Sequence, residues 1–352
     1  MNPIEQYGNE IDKIAQAITK SHNTVIISHA NADGDAMGSL LGMYHLLHGE
    51  ATIILPNGCS KNFSWMPGAE KILSGDHQPE RCKQLLSDAQ LIIGVDFNNA
   101  SRVDILADAL TQSSAEKVLI DHHLNPDHEL FDTVVSTPLS SACEMVYWVA
   151  RTIWGDDAIN TDAARCLYTG ICTDTGSFSY SCEDPSLYEA SAALVAKGID
   201  AAGIHNNIIN IFSINRIRFY GFALSELMKI YPSQRFAGIY ISLKDQKRFG
   251  IEPADMEGLV NYTLMMKEIE VGVLVREEPN RVKISFRSKN DVDVNQIART
   301  YFDGGGHVKA AGATSKLSFA ETIAKVEKIF KVENFTDTAK KKYLKSIWKT
   351  TT

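Results

Sequence analysis

Along the first half of the chain, short apolar runs rich in β-branched residues alternate with stretches whose apolar positions recur at helical spacing. Thr24 to Ser28 (TVIIS) is the first such run, and Ala51 to Leu55, Leu91 to Val95 and Lys117 to Ile120 follow it. Ala36 to Leu47 places Leu40, Tyr44 and Leu47 on one helical face, and Ala142 to Trp154 and Asp162 to Cys172 also read as helices. Apolar strands separated by helices predict a parallel sheet with helices on both faces. Ile11, Ile14, Ala15 and Ile18 recur among charged residues, which marks an amphipathic surface helix rather than a signal peptide. After Gly198 the pattern gives way to GIDAAGIHNNIINIFSINRIRF, a segment without a clear strand that suits a connector. A new pattern then opens: a strand over Phe236 to Leu243, a helix over Leu259 to Met266, strands over Val271 to Glu277 and Arg281 to Arg287, and a helix over Val294 to Tyr301. The expected fold class is therefore α/β, a parallel-sheet domain followed by a smaller α/β domain.

Composition narrows the class without naming it. A chain of 352 residues with 44% hydrophobic and 22% charged content has enough material for two ordinary globular cores. The net charge of −8 and pI of about 5.7 leave no global cationic field for duplex nucleic acid, so an anionic substrate must be held by local groups or metals. The six cysteines form no CxxC pair, which favours reduced thiols in a cytoplasmic protein over a zinc cluster. No apolar run reaches the roughly 18 residues of a membrane span. The basic ending AKKKYLKSIWKTTT reads as a solvated helix end or tail rather than a nucleic-acid arm. Apolar faces on the Ala142 to Trp154 helix and on the connector leave room for a homodimer.

The chemistry lies where the predicted strands end. His29, Asp33 and Asp35 stand in SHANADGDAMGS, Asp96 in LIIGVDF, Asp121, His122 and His123 in VLIDHH, and Asp174 in CTDTGSF. Strand ends are where parallel sheets present their sites. A lone aspartate there often serves only as a helix N-cap, but four separate segments delivering metal-ligand residue types make a common purpose the better reading. Asp33 and Asp35, separated by one glycine, repel each other unless a cation lies near them. Asp33, Asp35, Asp96 and Asp174 carry four negative charges when ionised, which two divalent ions would cancel, with His29 and His122 completing a mixed nitrogen and oxygen donor set. That mix suits Mn²⁺ best, with Mg²⁺, Co²⁺ or Fe²⁺ as alternatives.

With these motifs in place, the chain resembles the DHH phosphoesterase superfamily. HANADGDAMGS, the Asp96 strand end, DHH and CTDTG match its four motifs in order, and GGGHVKAAG (Gly304 to Gly312) is similar to the signature of the DHH-associated C-terminal domain. The first motif departs at Ala32, where proline is common, and no ligand position is missing. The resemblance implies a catalytic domain over 1–198, a connector over 199–232 and a substrate-binding domain over 233–345, with the active site in the cleft between the domains. It implies one metal on His29, Asp33 and Asp96 and another on Asp35, Asp96, His122 and Asp174, Asp96 bridging. His123 would meet the substrate phosphate, and Asp121 would orient a neighbouring histidine by accepting its ring N–H.

Within the superfamily the two-domain layout looks most like the bacterial oligoribonuclease and 3′-phosphoadenosine 5′-phosphate phosphatase group. In the second half, Gly304, Gly305 and Gly306 would expose backbone N–H groups to a phosphate or base, His307 would add a donor, and Arg287 is the best cation for a second phosphate. Arg276, Arg281 and Lys289 read as solvated strand-edge charges. The expected partners are thus short oligonucleotides or small nucleotides, with no duplex and no membrane. Hydrolysis of cyclic di-AMP or its linear dinucleotide is the nearest alternative, ahead of exopolyphosphatase or single-strand DNA exonuclease activity. A pyrophosphatase of the same superfamily would carry a different second domain. A non-catalytic nucleotide-binding regulator would be marked by a lost carboxylate or histidine, and every such position is filled.

Overall fold

The structure, a computed structural model, describes residues 2–209 and 212–332. The chain divides into two compact units between residues 211 and 212. Strands β1 (Thr24–Ile27), β2 (Thr52–Leu55), β3 (Leu73–Ser74), β4 (Leu91–Val95), β5 (Glu116–Asp121) and β6 (Thr133–Ser136) form one sheet in the order β3-β2-β1-β4-β5-β6, every pairing parallel. Alternate side chains of the central strands enter two cores. Ile26, Ile53, Ile93 and Ile120 pack with the helices Gly8–Lys20, Gly34–Leu46, Ala142–Trp154 and Thr161–Asp174, while Val25, Ile54, Ile92 and Leu119 pack with Pro79–Asp88 and Ala107–Gln112. Burial on both faces explains why these strands read as unbroken apolar runs. The strand order reverses between β1 and β4, the switch point where a crevice opens at the carboxyl ends.

Two helices of the first core touch more closely than ordinary side chains allow. Gly34, Gly38 and Gly42 form a stripe on helix Gly34–Leu46, and a Cβ at Gly38 would lie 2.6 Å from the Cys166 carbonyl oxygen of helix Thr161–Asp174. A Cβ at Gly170 would lie 2.1 Å from Cys143 Sγ and 2.9 Å from Asp35 Oδ1. Small residues thus let the helix that begins at Asp33 run against the helix that ends at Asp174.

The second unit holds β7 (Met228–Tyr231), β8 (Phe236–Ile241), β9 (Val271–Glu278), β10 (Arg281–Ser288), β11 (Asp303–Gly306) and β12 (Ala310–Ser315), in the order β11-β12-β10-β9-β8-β7. Only β8 and β9 run parallel; the other pairings are antiparallel. Helices Val294–Tyr301 and Phe319–Val332 cover one face over Val273, Ile284 and Phe286. On the other face Phe219, Tyr220 and Leu259 pack over Ile239, Ile241 and Leu274.

Several details depart from expectation. Residues 199–232 split, helix Ala201–Ile209 packing in the first unit and helix Ile214–Phe222 with β7 in the second. Edge strand β7 pairs with one neighbour and buries little, so its four residues carry no strand pattern. The helix expected over Leu259 to Met266 shrinks to Asn261–Leu264. Arg276 is not a solvated charge: its side chain is 10% exposed, ion-paired with Glu278 and bonded to the Pro253 carbonyl at 3.1 Å. All six cysteines are free thiols, four of them buried. No described helix is long and apolar enough to cross a membrane. The basic ending over 339–352 lies outside the described residues.

Candidate metal centre

The four sequence segments converge at the carboxyl end of the parallel sheet. His29 follows β1 and Asp96 follows β4, the adjacent strands that flank the switch point. Asp96 has φ +61°, a left-handed conformation that ordinary side chains avoid, so the turn that aims its carboxylate is strained. Asp121 ends β5, which sets His122 and His123 beside Asp96. Asp33 caps helix Gly34–Leu46, its Oδ1 accepting the N–H groups of Asp35 and Ala36 at 3.0 and 3.1 Å. Asp33 is thus a helix cap whose carboxylate also stands among the donor atoms of His29 and Asp96. Asp174 is the last residue of its helix rather than lying beyond it.

Three groups of donor atoms lie within 4.8 Å of one another: His29 with Asp33 and Asp96, Asp35 with His122 and Asp174, and Asp96 with His122 and His123. His29 Nε2 is 3.4 Å from Asp96 Oδ2, and His122 Nε2 is 3.5 Å from Asp96 Oδ1 and 3.7 Å from both Asp35 Oδ2 and Asp174 Oδ2. Those separations exceed a normal hydrogen bond. They approach the roughly 3.0–3.5 Å between neighbouring donors bound near 2.1 Å to one ion.

The imidazoles are orientated by their other nitrogens. His29 Nδ1 is 2.8 Å from the Ala30 carbonyl oxygen and His122 Nδ1 is 3.2 Å from that of Leu139. A carbonyl only accepts, so each Nδ1 carries the proton and each Nε2 turns a lone pair toward carboxylate oxygens. Lone pair against lone pair holds only with positive charge between them. Protons supply it where no cation does: burial alone would lower the pKa of His122, but Asp96, Asp35 and Asp174 raise it well above the ordinary value, and His29 is raised likewise by Asp96 and Asp33. Burial and the neighbouring carboxylates Asp96 and Asp174 push Asp35 well up. Burial, with Asp96 and Asp33 adding repulsion, raises Asp174 to about 7. Asp96 moves the other way: burial would raise it, but the imidazolium charges of His122 and His29 beside it outweigh that burial.

Asp35 is pinned by backbone. Its Oδ2 accepts the Ala142 N–H at 2.6 Å and its Oδ1 the Cys143 N–H at 2.9 Å, both from the N-terminus of helix Ala142–Trp154. Nothing in the residue types of positions 139–143 announces this role, because a carbonyl and two amides do the holding. The glycine stripe is visible as GDAMGSLLG, though its partner helix is not. Asp121 Oδ1 accepts the Nδ1–H of His123 at 2.8 Å, and its Oδ2 is buried without a hydrogen-bond partner.

In the second unit the candidates are strand residues. Gly304, Gly305 and Gly306 pair with Ala313, Gly312 and Ala311 along β12, so the glycine run is an edge strand rather than an open loop. A Cβ at Gly304 would meet the Gly312 carbonyl oxygen at 2.3 Å, and one at Gly306 the Ala310 carbonyl oxygen at 2.6 Å. Two of the three glycines therefore answer packing needs. Ser285, Gly312 and Gly305 lie side by side across β10, β12 and β11, a strip nearly free of side chains. Arg287, two residues from Ser285 on β10, pairs with Ala310 and donates to its neighbour's carbonyl at Phe286. His307 closes the turn to Ala310, its N–H 2.8 Å from the Ala310 carbonyl oxygen.

The DHH family N-terminal domain matches residues 23–171 and the DHHA1 domain matches 235–332. The chain belongs to the DHH family of phosphoesterases. A Bacillus subtilis protein named bifunctional oligoribonuclease and PAP phosphatase NrnA is 28% identical over 83% of this chain and 90% of its own length. A cyclic-di-AMP phosphodiesterase, GdpP, from the same organism is 24% identical over 89% of this chain but 48% of its own length. The crystal structure of an exopolyphosphatase-related protein from Bacteroides fragilis is 33% identical, covers 95% of this chain and 98% of that one, and superposes with a TM-score of 0.90. This DHH phosphoesterase thus matches such relatives over most of its length.

Proposed function

We propose that this chain hydrolyses short oligoribonucleotides to mononucleotides, and 3′-phosphoadenosine 5′-phosphate to AMP, with two divalent cations, Mn²⁺ first among them. The observation that carries the reading is the pairing of two imidazole lone pairs with one shared carboxylate, Asp96, in a chain whose NrnA relative matches over most of both lengths. His29, Asp33 and Asp96 would hold one ion, and Asp35, Asp96, His122 and Asp174 the other. When bound, such ions neutralise phosphate charge and acidify water into a nucleophile. The chain's own groups do the rest. Asp35 is locked by two amides, His29 and His122 are fixed in one tautomer, and the strained turn at Asp96 aims a carboxylate at both histidines. We assign His123 to the substrate phosphate instead of a metal, because the ring nitrogen it turns toward Asp96 already donates to Asp121 at 2.8 Å. Protonated, it stabilises charge on the phosphoryl oxygens. We assign Arg287 and the Gly304 to His307 hairpin to the part of the substrate away from the scissile bond. The unpaired thiols suit a reducing, cytoplasmic setting.

The GdpP relative motivates a second reading, hydrolysis of cyclic di-AMP or its linear dinucleotide. One assay separates the two: a dinucleotide, a five-residue RNA, 3′-phosphoadenosine 5′-phosphate, cyclic di-AMP and polyphosphate side by side with Mn²⁺. The first three should turn over fastest, and EDTA should abolish the release. Preference for cyclic di-AMP or polyphosphate overturns the substrate assignment, and EDTA-resistant turnover overturns the metal reading.

A further inference from the structure

Glu144 is a fully buried carboxylate that joins none of the donor groups of the metal centre. It stands at the third position of helix Ala142–Trp154, where the capping Ser141 hydroxyl receives its N–H at 3.0 Å. Its Oε2 accepts the Ser140 N–H at 3.1 Å and the Ser140 hydroxyl at 2.7 Å. Its Oε1 accepts the Trp148 Nε1–H at 3.3 Å and the Ser186 hydroxyl at 2.7 Å. Four neutral donors converge on one buried charge, so the group is held by bonds stronger than neutral pairs, and losing it would strand them.

The segment fixed by these bonds carries the contacts that set two candidate ligands. The Leu139 carbonyl takes the Nδ1–H of His122, and the Ala142 and Cys143 amides take both oxygens of Asp35. The other side of the centre does not use this segment. His29 is held by the Ala30 carbonyl, Ala30 donates its N–H to the Arg102 carbonyl at 2.8 Å, and Asp33 is held by its own helix.

We infer that Glu144 is a positioning residue that tunes the Asp35 and His122 half of the centre and leaves the His29 and Asp33 half untouched. The inference rests on the two-metal reading above and adds an asymmetry to it. A shift of segment 139–143 moves a carboxylate and an imidazole together, and outer-shell changes of this kind alter metal affinity about 10- to 100-fold. The Glu144→Gln variant keeps the shape but puts an NH₂ where two of the four donors point.

The test is Mn²⁺ binding to the full chain, followed by titration calorimetry and by electron paramagnetic resonance of free Mn²⁺. Asp33→Asn and Asp35→Asn first identify which class of site each half supplies. Glu144→Gln should weaken the class lost in Asp35→Asn by about tenfold or more, keep the class lost in Asp33→Asn within about twofold, and lower kcat more than it raises KM. Equal weakening of both classes, or of neither, overturns the inference. A wild-type chain that binds no Mn²⁺ instead overturns the metal reading itself. If near-ultraviolet circular dichroism shows Glu144→Gln unfolded, Ser140→Ala carries the same test, since it removes one hydroxyl from the network and retains the buried carboxylate. A smaller but equally one-sided loss is expected there, and a symmetric loss or none overturns the inference.

Discussion

The two sheets present their candidate residues in opposite ways. At the carboxyl end of the parallel sheet, groups that repel one another are forced together: Asp35 and Asp96 are buried, and two imidazoles turn lone pairs toward them. On the mixed sheet, Arg287 and the glycine hairpin lie along ordinary strands, and part of their character answers packing. A cluster that is unfavourable without a cation declares its chemistry. A strip of backbone with an arginine beside it is compatible with many ligands, or with none.

The largest effect that could break this contrast comes from Asp96, whose two carboxylate oxygens face His29 and His122. Asp96→Asn keeps a residue type that tolerates the left-handed backbone, so folding should survive. Turnover should fall on the order of 10³-fold, beyond the range typical of outer-shell changes, with loss of both Mn²⁺ ions by calorimetry. Near-normal turnover, or loss of one ion only, would mean that Asp96 does not bridge.

How much of this was readable beforehand follows from the same contrast. Helix Ala142–Trp154 matches its predicted limits because Ser141 caps one end and Gly155, at φ +78°, closes the other. The central strands β1, β4 and β5 were visible as apolar runs, and the family motifs pointed to the residues that the fold brings together. Strands β11 and β12 were hidden: DGGG and AAGATS have no large side chains to alternate. Strand β3 is two residues long. The Leu139 carbonyl and the Ala142 and Cys143 amides could not be read, since any residue supplies a backbone group. Nothing in the sequence sets Glu144 apart within its helix, and only its four donors reveal its place.

A smaller effect sharpens the comparison from the other sheet. Arg287→Ala should raise KM for short oligoribonucleotides roughly tenfold, the scale of one charge-assisted phosphate contact, while kcat changes little and Mn²⁺ stoichiometry stays as in the wild type. Unchanged kinetics on every short substrate would remove Arg287 from the site, and lost metal would make the second sheet part of the centre.

The smallest effect is one of pH, and it should be confined to the first unit. In protein stripped of metal, His29 and His122 have pKa values above the ordinary 6.5, so the stability they contribute is complete below that value and is lost as pH rises through their folded values. Asp174, raised from 3.8 to about 7, holds a proton in the folded state that the unfolded chain has already released. Its share of stability therefore also declines as pH climbs toward 7, and the raised Asp35 acts in the same direction. Asp96, lowered, contributes above the usual carboxylate range and loses its contribution only in acid. Near neutrality every raised group thus pulls the same way. Hydrogen exchange on the full metal-free chain, corrected for intrinsic rates, should show protection within 2–209 falling between about pH 6 and 8 while that of 212–332 stays level. Mn²⁺ should restore it most at the alkaline end, because a bound ion replaces the protons that the site would otherwise need. Equal pH sensitivity in both units would show that the charge strain is not local to the centre, and the contrast between the two sheets would fail.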